Sequence, residues 1–93
     1  MEIIYNVVRT EGTLNPTITI YRMIDNQIFK YVYLITKDDI DYVNVNKINV
    51  NNYVDIIKDQ LVFVKLSYED AICDDNINKT DEFTQFKLAN LLS

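Results

Sequence analysis

Residues 17–35, TITIYRMIDNQIFKYVYLI, decide how this chain is read. The first eight alternate Ile18, Ile20 and Ile24 with Thr17, Thr19 and Tyr21, a period of two that suits a strand. Asp25-Asn26-Gln27 then interrupts the apolar residues, and asparagine at 26 tolerates the positive φ of a tight turn. Residues 28–35 resume as IFKYVYLI, rich in β-branched and aromatic types. The stretch therefore reads as a hairpin. In its second arm Phe29, Tyr31, Tyr33 and Ile35 share one face, while Ile28, Val32 and Leu34 share the other with Lys30. Both faces are mostly apolar, so this strand is either covered on both sides or offers an aromatic face, Tyr31 and Tyr33, to a partner.

Upstream, residues 2–9 (EIIYNVVR) have the same strand chemistry, and the only glycine and the only proline, Gly12 and Pro16, fall in the connection. Three consecutive antiparallel strands, a meander, follow. Downstream, Lys37-Asp38-Asp39-Ile40-Asp41 reads as a polar break, and Tyr42-Val43-Asn44-Val45-Asn46 alternates at period two like a short edge strand. Asn52 is a candidate N-cap for a helix that sets Tyr53, Ile56, Ile57, Gln60 and Leu61 on one stripe. Residues 61–68 (LVFVKLSY) return to strand chemistry with Val62, Val64, Leu66 and Tyr68 on one face. Thr80, followed by Asp81 and Glu82, suits the N-cap of a last helix that buries Phe83, Phe86, Leu88 and Leu91 in part. The expected fold is α+β in a single domain, 1–93: an antiparallel sheet of four or five strands with one helix near 52–60 and a terminal one near 81–92.

Composition narrows the chemistry. With no histidine and one cysteine, the usual zinc-ligand spacings and internal disulfides are excluded. One glycine cannot build a phosphate loop, where backbone must approach phosphate closely. No serine or threonine sits in a glycine-flanked nucleophile elbow. No catalytic residue, metal or cofactor is therefore expected. Cys73, at the edge of an apolar run, reads as a small buried hydrophobe. The amino-terminal residues have Glu2 where a secretory leader needs positive charge, and no 18-residue apolar stretch occurs. The expectation is a cytoplasmic protein without a membrane segment.

Charge is uneven. The net charge is −5, but residues 1–37 carry +1 and residues 38–93 carry −6. The negative sign disfavours nucleic acid as a direct ligand and suits a basic protein surface. Two clusters stand out: Asp38, Asp39 and Asp41, and the run Glu69, Asp70, Asp74, Asp75, Asp81 and Glu82. Within the second, CDDNINKTDE (73–82) puts Asp74, Asn76 and Asn78 at the first three oxygen positions of a calcium loop. It then places Lys79 where glycine is required and Gln85 where a bidentate carboxylate is required, so no metal is assigned.

The abundance of Asn, Ile, Lys and Tyr is the usual result of an AT-rich coding sequence. In size and charge the chain resembles phage-encoded inhibitors that block nucleic-acid-binding sites of host defence enzymes. That likeness implies a nucleic-acid mimic, from a phage or mobile element, whose acids occupy a basic site on a host protein. Tyr31 and Tyr33 would then supply the apolar anchor. The alternative is an assembly subunit, a homodimer through the aromatic sheet face, with the acids serving solubility.

Overall fold

The computed structural model describes residues 2–9 and 16–91. It is an α+β fold whose sheet holds β1 (Glu2–Arg9), β2 (Thr17–Ile24), β3 (Gln27–Leu34) and β4 (Val64–Leu66). The strands lie in chain order and every pair is antiparallel. The expected meander is present over its full length; the connection at residues 10–15, Gly12 included, lies outside the described residues. The turn between β2 and β3 takes its positive φ at Asp25 (φ 54°) rather than at Asn26. Aspartate reaches this region more readily than most residues because its short side chain bonds locally.

Helices cover both faces of the sheet. On one side α1 (Lys37–Asn46), α2 (Val50–Ile57) and a 3₁₀ turn (Lys58–Gln60) pack over Ile18, Ile20, Tyr33 and Ile35, with Val54 fully buried among them. On the other, α3 (Tyr68–Ile72) and α4 (Asp81–Leu91) bring Ala71, Phe83 and Phe86, with Ile77 from the intervening loop, onto Tyr21, Met23 and Ile28. Each helix starts on a side chain that accepts from a backbone N–H three residues on: Thr36, Asn49, Ser67 and Thr80. Such caps satisfy donors that no helical carbonyl can reach.

Several expectations give way. Residues 42–46 are not an edge strand but the end of α1, and the polar run before them is its first turn. Thr36 and Asp39 form a reciprocal capping box there, so local hydrogen bonding outweighs the period-two pattern. The α2 cap is Asn49, with Asn52 donating to it, and Ile56 faces solvent while Val54 is buried. The strand expected over 61–68 shortens to three residues; Val62 and Val64 are exposed, and Leu61 and Phe63 pack instead. α3 adds a helix that Ser67 caps. Thr80 caps α4 as expected, burying Phe83 and Phe86 but leaving Leu88 exposed; the Leu91 side chain is outside the described set. Cys73 is exposed, not buried.

Lys47 ends α1 in the left-handed region (φ 54°, ψ 42°) with its N–H donating to the Val43 carbonyl. A Cβ is unfavourable there and glycine carries none. Lys47→Gly should therefore stabilise the fold by about 0.5–1 kcal/mol, seen as a higher urea midpoint at unchanged slope.

Candidate functional site

Two of the carboxylates singled out from the sequence turn inward. Asp39 is 8% exposed. Its Oδ1 accepts from the hydroxyls of Tyr33 (2.8 Å) and Tyr53, and its Oδ2 from Thr36 N–H (2.7 Å) and Thr36 Oγ1 (2.9 Å). One carboxylate thus ties α1 to β3 and to α2. Burial opposes its ionisation, but the bonds from Tyr53, Thr36 and Tyr33 outweigh burial and hold it below the usual 3.8.

Asp74 plays the matching part on the opposite face. Its Oδ2 accepts from Tyr21 Oη (2.8 Å) and pairs with Lys30 Nζ (3.0 Å), while Oδ1 accepts from Asn76 N–H (2.9 Å). Tyr21 and Lys30 are cross-strand partners, so they reach the carboxylate from adjacent positions on one face. Here too burial raises the carboxyl value, and the bonds from Tyr21, Lys30 and Asn76 bring it below normal. The loop is held further by Arg9 Nη2 donating to Asn76 Oδ1 (2.8 Å). Both oxygens of Asp74 are therefore in use within the fold. Among the described residues no group of three or more His, Cys, Asp or Glu side chains is placed to hold a metal ion.

The remaining acids face outward. Asp38 and Asp41 lie on α1 and share a helical stripe with Tyr42 and Val45, all exposed. Glu69 and Asp70 on α3 are exposed beside Tyr68 and Ile72; Asp75 and Asp81 are exposed, and Glu82 is half-buried. The structure does not bring the two clusters together, since α1 and α3 pack on opposite faces of the sheet. Tyr31 and Tyr33 are half-buried beneath the α1–α2 side, Tyr31 against Phe63 (ring centroids 5.9 Å apart) and Tyr33 on Asp39. That aromatic face is covered by the chain itself. Tyr42 and Tyr68 are the tyrosines that stand beside the exposed acids. Treating 42–46 as a strand hid the first; the Thr36-x-x-Asp39 capping pattern was the signal that would have revealed the helix.

No protein-family model, no curated protein and no solved structure matches this chain. No helix among the described residues is long and apolar enough to cross a membrane.

The two networks set opposite pH limits. Asp39 and Asp74 ionise more readily folded than unfolded, so their contribution is complete above the ordinary value of 3.8 and is lost as pH falls through their lower folded values. Tyr21 and Tyr53 are pushed above the ordinary 10.0, first by burial and then by their carboxylate partners. Their contribution is intact below 10.0 and declines as pH rises past it. The urea midpoint should be level between about pH 5 and pH 9 and fall on both sides. Asp39→Asn should cost about 2–4 kcal/mol at neutral pH and flatten the acid limb.

Proposed function

We propose that the chain is a small, acidic, non-catalytic binding protein that occupies a basic nucleic-acid-binding site on another protein. In this reading it acts as an inhibitor of the kind phages and mobile elements direct at host defence proteins. The observation that carries it is the outer stripe of α1, where Asp38 and Asp41 flank Tyr42 and Val45 without an ion-pair partner among the described residues. A rigid helix that presents charge around an apolar anchor suits a basic, partly apolar partner surface: the rim charges steer, and the anchor adds affinity once desolvated. The α3 stripe repeats the arrangement with Glu69, Asp70, Tyr68 and Ile72.

The runner-up is an assembly subunit that pairs with a second copy. Its support is aliphatic rather than aromatic: Val32 and Leu34 on β3, with Val64 across from Lys30, are exposed on the side opposite Tyr31 and Tyr33.

The two readings separate in one capture experiment. Wild type is compared with Asp38→Asn/Asp41→Asn/Tyr42→Ala and with Glu69→Gln/Asp70→Asn/Tyr68→Ala in host lysate. The inhibitor reading expects a basic protein that added duplex DNA displaces, whose retention falls steeply between about 50 and 200 mM salt. At least one triple variant should lose it by roughly tenfold or more. Retention indifferent to salt, DNA and both variants would overturn that reading, and a salt-resistant dimer in sedimentation would favour the assembly subunit.

A further inference from the structure

The sheet ends differently at its two edges. β4 has three residues and β1 has eight, and β1 pairs only with β2. The register says which way its backbone groups point. β2 and β3 are joined through the two-residue turn Asp25-Asn26, which makes Ile24 and Gln27 a hydrogen-bonded pair. At the far end of that ladder the Ile35 N–H donates to the Pro16 carbonyl (2.9 Å). Even-numbered residues of β2 therefore bond to β3, and odd-numbered ones bond to β1. Their β1 partners are Ile3, Tyr5, Val7 and Arg9. The N–H and C=O of Ile4 and Asn6 consequently turn outward, and among the described residues no group takes them up.

A groove of about 370 Å³ lies over this part of the edge, lined by Ile4, Tyr5, Asn6, Asn51, Asp55 and Glu82. One wall is α2, tied to the strand by Asn6 Nδ2 donating to Asn51 Oδ1 (2.9 Å); the other is the start of α4. The groove is thus a place where acids from both helical layers line one space, Asp55 from one and Glu82 from the other. Glu82 has no ion pair among the described residues. Asp55 pairs with Lys58 at 3.2 Å, but its side chain is 61% exposed, and a competing cation displaces such a contact at little cost.

We infer that this edge docks an extended basic segment of another protein, which adds a strand to β1 and carries two consecutive Lys or Arg residues. Successive side chains of a strand point to opposite faces, so one base reaches Asp55 and its neighbour reaches Glu82. Main-chain bonds to Ile4 and Asn6 supply affinity, and the paired bases set the register. A second copy of this chain is the competing occupant, but β1 against β1 brings two acid-walled grooves together, and like charges oppose that. The inference rests on the reading of the chain as an acidic binding protein and specifies one site and one partner chemistry.

The test uses a blocked peptide of about ten residues, Thr and Val around a central Lys-Arg, long enough to span β1. One control separates the two bases by a residue, which puts both on one face; another N-methylates the amides that would face β1. Anisotropy should show the Lys-Arg peptide binding, with the separated pair weaker and the N-methylated peptide inactive. Asp55→Asn/Glu82→Gln should weaken binding by roughly tenfold, and amide exchange at Ile4 and Asn6 should slow on binding. If the Lys-Arg peptide binds but N-methylation is harmless or protection falls elsewhere, the edge site is overturned while the acidic binding reading stands. Failure of every basic peptide alongside a successful lysate capture also removes the edge site alone. Failure of both removes both. A dimer in which the Ile4 and Asn6 amides are already protected makes the second copy the occupant and overturns the inference.

Discussion

Four side chains of β2 leave solvent in alternation, Ile18 and Ile20 toward α2, Tyr21 and Met23 toward α3 and α4, each at 3% exposure or less. A strand apolar on both faces cannot lie on one side of a half-solvated sheet, so both faces must be covered. Each such burial is worth about 1.5–3 kcal/mol before ordering entropy is subtracted. With 93 residues, the chain meets this demand by dividing its second half into four short helices, two on each side. Short helices hold few internal bonds, which is why each one begins on a side-chain cap and why two of the attachments to the sheet are made by carboxylates.

Those carboxylates, Asp39 and Asp74, share one design. Each accepts tyrosine hydroxyls and a backbone N–H, and each joins a helical layer to the strands beneath it. The acidity of the chain therefore has two uses. Asp39 and Asp74 belong to the architecture and are unavailable to a partner without unfolding a layer, whereas Asp38, Asp41, Glu69, Asp70, Asp75 and Asp81 are exposed. A count of acids treats these alike; neighbours in sequence such as Asp38 and Asp39 do opposite work because a helix turns them about 100° apart.

The meander was legible because three strands of β-branched and aromatic residues are separated by turn chemistry that nothing later in the chain overrides. The terminal helix was legible through Thr80, Asp81 and Glu82. α1 was not, and the reason is physical: its one buried residue is Asp39, so it lacks the apolar stripe by which helices are recognised, while Val43 and Val45 imitate a strand. The short β4 and α3 were merged into one apolar run because Ser67, the cap that parts them, is a single polar residue. The acidic clusters could be named from residue type, but their separation by the thickness of the sheet depends on which way β2 and β3 alternate. The Asp55–Glu82 groove joins residues 27 positions apart across an edge strand, and no local pattern records it.

The brevity of β4 bears on stoichiometry. A sheet with two long open edges can accept a strand at each, and successive additions then run on into a fibre. Here three paired residues offer little template at one end, and Lys65 lies within them. Growth is confined to a single direction. Whatever joins this sheet along its strands completes it, giving a discrete complex and keeping a chain with so much β-branched sequence out of open-ended polymers.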